Sequence, residues 1–270
     1  MRVIGRSDTR LGRIVGGAAA LVALVALAVL AAACGAGDAP AARGTQTAPG
    51  GGALPQGAEP VRLDPRNFTT RIDNPWLPMA AGSRWVYREL EGTERGSVRI
   101  TVTNRTKVIA GIRARVVHDV ARRSGRVIED TIDWFAQDRA GNVWYLGEAT
   151  RSYRNGRLVS RGGSWQAGVA GAQAGIAMPA DPKPALTYRQ EYRKGVAEDA
   201  ATVLSLDEQV QAPHGHFKPA LLTKEFTPVE PDSLEYKLYA KGVGLVLAVD
   251  VSGGAAREEL VSYRKGKGSG

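Results

Sequence analysis

Apolar and polar residues alternate with a period of two through most of this chain, and turn signals break the alternation at intervals. Val98, Ile100 and Val102 alternate with Arg99, Thr101 and Thr103, and Leu234, Tyr236, Leu238 and Ala240 alternate with Glu235, Lys237 and Tyr239. Only a strand sends successive side chains to opposite faces, so these stretches read as half-buried antiparallel strands. Ser124-Gly125, Ala140-Gly141 and Asn155-Gly156 mark turns about 15 residues apart, so the strands between them are long. The pattern predicts a mainly β domain: one large curved antiparallel sheet, built as a meander, half-barrel or open barrel, with at most short helices. Gln166 to Met178 and Glu198 to Leu204 are the two stretches where a short helix remains open.

Turn chemistry carries the expectation to individual pairs. Asn155-Gly156 fits a two-residue type I′ hairpin, because both positions tolerate positive φ. Val116, His118 and Val120 share one strand face, and Ile128, Asp130, Ile132 and Trp134 share one face of the next. A loop over Arg123-Ser124-Gly125 keeps both apolar faces on one side and sets His118 opposite Asp130. The same turn at Arg139-Ala140-Gly141 pairs Trp134 with Leu146 and Ile132 with Glu148. The expected result is a polar row, His118–Asp130–Thr150 with Glu148 diagonal to it, on an apolar sheet face.

A histidine beside carboxylates is either a hydrogen-bonded pair that fixes register or a general acid/base pair. His118, Asp130 and Glu148 are therefore the candidate catalytic residues. No Gly-x-Ser-x-Gly nucleophile motif accompanies them, and no phosphate loop, dinucleotide fingerprint or His-Glu-x-x-His is present. No cofactor is expected. His214 and His216 are weak metal candidates, one residue apart but inside a Pro- and Gly-containing turn. Trp85, Trp134 and Trp144 are candidates to line a ligand site, with core packing as the alternative. Gly168 to Pro184, small and apolar, reads as a long loop of the kind that serves as a lid.

The amino terminus carries a different message. Arg2, Arg6, Arg10 and Arg13 precede an apolar run from Ile14 to Ala33, which ends at Leu30-Ala31-Ala32-Ala33-Cys34-Gly35. This resembles the lipobox of bacterial lipoprotein precursors, although Ala31 stands where that family prefers leucine. The resemblance implies cleavage after residue 33, a diacylglycerol thioether and palmitate on Cys34, and a mature protein exported to the outer face of the cytoplasmic membrane. An uncleaved membrane anchor and plain secretion are the alternatives. Cys34 is the only cysteine of the 270 residues, so no disulfide framework exists. The expected layout is a signal peptide over 1–33, a flexible Gly/Ala/Pro linker over 34–62, a β domain over 63–265 and a disordered tail over 266–270.

Asn74-Pro75-Trp76-Leu77-Pro78 followed by Gly82-Ser83-Arg84-Trp85-Val86-Tyr87 resembles the opening of uncharacterised envelope lipoproteins, in which such a phrase starts a large antiparallel sheet. In architecture the expected curved sheet resembles the lipoprotein-carrier and lipid-binding lipoprotein families, which shelter apolar molecules, and the resemblance implies a non-catalytic binding module for an apolar ligand or an envelope partner. A hydrolase using His118, Asp130 and Glu148, and a purely structural protein, are the alternatives. The net charge of +9 falls to +6 once the signal segment is removed. Arginines spread along the sequence without interleaved aromatics argue against nucleic acid and allow weak attraction to anionic lipid.

Overall fold

The computed structural model describes residues 54–268; the expected signal segment, Cys34 and most of the expected linker lie outside the described residues. A 3-10 turn over Pro65–Asn67 leads into β1 (Phe68–Thr69). Then β2 (Arg84–Glu91), β3 (Glu94–Ile109), β4 (Ile112–Arg123), β5 (Arg126–Asp138), β6 (Val143–Arg154) and β7 (Arg157–Ser160) run as consecutive hairpins. Four short strands follow: β8 (Trp165–Gln166), β9 (Gln173–Met178), β10 (Thr187–Arg189) and β11 (Glu191–Tyr192). A second meander closes the chain: β12 (Ala200–Ala212), β13 (Gly215–Phe226), β14 (Leu234–Ala240), β15 (Gly244–Ser252) and β16 (Ala256–Arg264).

Every strand pairing is antiparallel, and β16 pairs with β2 to join the two meanders. The order runs from β10 through β12–β16, then β2–β6, to β9 and β11. Its two ends, β10 and β11, are consecutive in the chain and separated by Gln190 alone. One large sheet thus curls into a nearly closed barrel, and the chain itself bridges the seam. Across that seam the buried Arg189 donates from Nη2 to the Ala174 carbonyl (2.8 Å), from Nη1 to the Glu59 carbonyl (2.9 Å), and from its backbone N–H to the Pro55 carbonyl (2.6 Å). These bonds hold residues 55–59, the end of the stretch read as a leash, against the barrel. At the other end of the chain, Gly266 N–H donates to Ser83 Oγ at 2.9 Å.

Neither stretch left open for helix is helical: the first is the end of β8, a turn over 167–172 and β9, and the second leads into the start of β12. The Gly168 to Pro184 segment is not a lid, because β9 forms part of the wall with Ala174, Ile176 and Met178 buried. Small residues there serve close approach: a Cβ on Gly175 would overlap the backbone carbonyl of Gln190 at the seam. One end of the barrel has an apolar core. Leu77, Met79, Trp85, Tyr87, Ile100, Val102, Val117 and Leu245 enclose a cavity of about 20 Å³, room for roughly one water. Buried Asn74 fixes the loop over that end. Its amide donates to the carbonyls of Gly141 (3.0 Å) and Pro179 (2.9 Å), and its oxygen accepts from Trp76 N–H (2.9 Å).

Two bulges correct the expected register. At the first hairpin the loop is Ser124-Gly125 alone, with φ of 50° and 76° and Arg123 opposite Arg126. A two-residue loop pairs even positions with odd ones. A bulge in β5, between Arg122↔Val127 and Ala121↔Glu129, restores even with even two residues further on. His118 therefore faces Ile132, and Asp130 faces Val120. The second turn behaves as expected through Phe135↔Tyr145. An extra residue at Leu146-Gly147 then shifts β6 by one, so Asp133 faces Glu148 and Thr131 faces Thr150. Gly147 holds φ of 132° there, and a Cβ would sit 2.8 Å from the Gln166 Cα.

Candidate functional site

These registers decide which side chains enter the barrel. On β4 the inward set is Val117, Asp119 and Ala121; on β5 it is Glu129, Thr131, Asp133 and Phe135; on β6 it is Tyr145, Glu148, Thr150 and Ser152. On the facing strands, Glu89, Glu258, Glu225 and Lys237 point inward as well, and Glu191 joins them from the seam. The barrel wall therefore carries many of its carboxyl groups inside, whereas buried Glu259 lies on the outer side with Arg88 and Arg257. Ten carboxylates of residues 54–268 are buried, against three basic side chains, Arg115, Arg189 and Lys237.

Charge cannot be kept on so many carboxylates away from water. Burial, then the neighbouring Asp133, Glu258, Glu129 and Glu148, push the Asp119 carboxyl well above the usual carboxylate range. Burial followed by Asp133 and Glu89 raises Glu129 to about 8. Asp133 rises to about 7 through burial, with the hydrogen bond from Tyr145 opposing. Glu148 is raised by burial, then by Asp133 and Glu129; Glu258 by burial, then by Glu235 and Glu89.

Proton counting agrees. The Tyr145 hydroxyl oxygen lies 2.7 Å from Asp133 Oδ1 and 3.0 Å from Glu148 Oε2. One hydroxyl has one hydrogen to give, so the second contact requires a carboxyl proton donated back to the tyrosine oxygen. Further round the wall, Lys237 Nζ donates to Glu225 Oε2 at 2.6 Å and lies 3.1 Å from Glu235 Oε2. Burial works against its charge, but the two glutamates outweigh that and hold it cationic. Asp119 Oδ1 and both Glu258 side-chain oxygens are buried without a hydrogen-bond partner.

The residues singled out from sequence do not assemble into one site. His118 and Asp130 lie on the outer face, 3.4 Å apart (Nε2 to Oδ1), half-exposed and diagonal across β4 and β5. Glu148 lies on the other side of the wall, buried against Asp133. Of the three tryptophans, Trp85 borders the apolar cavity, stacks on Tyr263 (ring centroids 5.0 Å apart) and donates to the Val243 carbonyl at 2.7 Å. Trp134 lies outside under Lys107, whose Nζ is 3.4 Å from its ring centroid. Trp144 packs edge-on to Phe68 and donates to Asp138 Oδ2 at 2.8 Å. His214 sits in the β12–β13 turn beside Phe217, and His216 is exposed on β13. Among the described residues no three His, Cys, Asp or Glu side chains are grouped to hold a metal ion.

Sequence reasoning passed over Asp119, Glu129, Asp133 and Glu258 because it assigned the polar set of each strand to solvent. The usable signal was the spacing Glu129-x-x-x-Asp133, which puts two acids on one face of a strand otherwise rich in apolar residues. No family model matches this chain, and no curated protein matches it. Among solved structures, a chain described as a "putative lipoprotein" from Parabacteroides distasonis ATCC 8503 is similar at 11% identity and a TM-score of 0.38. The match covers 70% of this chain and 98% of that one.

Proposed function

We propose that this is a lipid-anchored protein of the bacterial cell envelope, held by Cys34 on the outer face of the cytoplasmic membrane, whose barrel is a non-catalytic binding module. The basic start, the apolar run and the Ala-Ala-Ala-Cys junction support the anchor. The reading of the ligand changes with the structure in hand. The apolar cavity beside Trp85 holds about 20 Å³, whereas the inner wall beyond it offers acceptor oxygens. The observation that carries the proposal is the pair Asp119 and Glu258, buried with oxygens that no protein donor meets. Such groups cost stability and persist where a ligand supplies the missing donors.

The acceptors are strung along the wall rather than gathered round one point, which favours an elongated ligand with several N–H donors, a polyamine or a guanidinium compound, over a bare metal ion. A cation entering there replaces protons, so its binding strengthens as pH rises. The test is thermal melting of the full chain in detergent with spermidine, magnesium or a fatty acid, at pH 6 and pH 8. Spermidine is expected to raise the melting temperature, more at pH 8, and Asp119→Asn to weaken the effect. No shift with spermidine at either pH, or a shift with the fatty acid alone, overturns the cationic reading. Mass analysis of the processed chain with an unmodified Cys34 sulfhydryl overturns the anchor independently.

A further inference from the structure

Sequestering acids inside leaves the outside basic. Of the 31 Lys and Arg in residues 54–270, 28 stay at the surface, while only 15 of 25 carboxylates do. The excess is not spread evenly. Outward positions of β2, β3, β4 and β16 register against one another: Arg84 faces Thr101 and Arg264, Arg99 faces Val86 and Val120, and Arg122 faces Ser97. Arginines that lie far apart in sequence thereby share one face of the wall. Arg84, Arg95, Arg99, Arg122 and Arg264 make no ion pair among the described residues. On the same face, Glu259 is held by Arg88 and Arg257, and Asp130 lies between His118 and Arg151. The exposed positions of β12, by contrast, carry Leu204, Asp207, Gln209 and Gln211 and no basic residue.

We infer that the outer face of β16, β2, β3 and β4 is a docking surface for an anionic lipid bilayer. Guanidinium groups are weakly hydrated and pair bidentately with phosphate, so several of them on one side of the wall suit a surface of phosphodiester headgroups. Each arginine brought to an anionic surface strengthens association by roughly fivefold, so a face with five unpaired arginines binds firmly at low salt. The occupant is near to hand in the sequence. Between Ala33, the end of the apolar run, and Leu54, the first described residue, stand 20 residues. Twenty residues of chain in coil form would span about 25 Å end to end, on the scale of a small domain. The barrel can thus turn this face to the membrane that the apolar run enters, whether Cys34 is lipidated or the run is left uncleaved. The inference stands apart from any ligand in the interior.

Arginine footprinting tests it on the full chain reconstituted in vesicles. The chain is treated with phenylglyoxal in phosphatidylcholine vesicles with and without about one-third phosphatidylglycerol, and modification is read by peptide mass. The expected result is several-fold slower modification of Arg84, Arg99 and Arg122 in the anionic vesicles, reversed by 0.5 M salt, with exposed Arg161 unchanged. In the variant Arg99→Glu/Arg122→Glu, protection of Arg84 is expected to disappear. Equal rates in both vesicle types overturn the proposal. So does protection that includes Arg161 equally, or protection by soluble polyglutamate but not by vesicles.

Discussion

Asp133 and Glu148 face each other across β5 and β6, and both reach the single hydroxyl of Tyr145. Two carboxylates and one phenol satisfy one another only if the trio keeps a carboxyl proton. The barrel interior is thus a place where protons are part of the structure.

Stability should therefore fall as pH rises. The folded-state values of Asp133 (about 7) and Glu129 (about 8) lie above their ordinary values of 3.8 and 4.5. The folded chain binds more protons than the unfolded one between pH 4 and 8, so the contribution is complete below about pH 4 and is lost as pH passes through 7 to 8. Melting followed by circular dichroism from pH 5 to pH 8.5 should show a drop on the order of 10 °C, given several kcal/mol shared among these groups. A melting temperature that climbs with pH would refute the assignment.

Glu129→Gln should flatten that profile. The amide keeps the shape of the protonated acid and has no charge to bury, so at pH 8.5 the variant should be more stable than the parent by about 1–3 kcal/mol, with little difference at pH 5. Parallel pH curves for the two proteins would show that Glu129 does not titrate in this range.

Lys237→Met leaves Glu225 buried beside an apolar side chain. Removing one partner of a buried pair costs on the order of 3–5 kcal/mol, a loss readable in urea unfolding at neutral pH. The double variant Lys237→Met/Glu225→Gln should recover most of it.

The outer pair behaves differently. His118 and Asp130 are half-exposed, and such pairs contribute at most about 1 kcal/mol. His118→Ala and Asp130→Asn should each leave the denaturation midpoint nearly unchanged; a loss above 2 kcal/mol for either would point to a role inside the fold.

Gly147→Ala tests the β6 bulge. At φ of 132° a side chain is strained, and the added carbon meets the Trp165–Gln166 backbone, so a loss of about 2–4 kcal/mol is expected. Unfolding of the variant that matches the parent would mean that the bulge can be redrawn without Gly147.

Local signals in the chain were readable where local chemistry decides. Asn155-Gly156 turns with φ of 52° and 74° and Arg154 opposite Arg157, and the Arg139–Gly141 loop sets Phe135 against Tyr145. What the sequence hid were the bulges, because one inserted residue answers to neighbouring strands and not to its own composition. The faces were hidden as well. On β3, Val98, Ile100 and Val102 go inward as an apolar set should, but on β14 Lys237 and Tyr239 go inward and Tyr236 and Leu238 outward. Binary patterning assumes an oily interior. A barrel whose interior also holds acids and a lysine breaks the rule, and the candidate site moved from His118 and Asp130 to the other side of the same wall.

The peptide link through Gln190 has a consequence for neighbours as well as for the fold. Among the described residues the wall is joined by its own backbone at the seam, but β10 covers β12 only at Ala200–Thr202, so the rest of that long strand has no strand partner on its outer edge. Copies crowded together in two dimensions therefore meet a strand template along that stretch of β12, where exposed Asp207 and the glutamines Gln209 and Gln211 blunt stacking of strand upon strand.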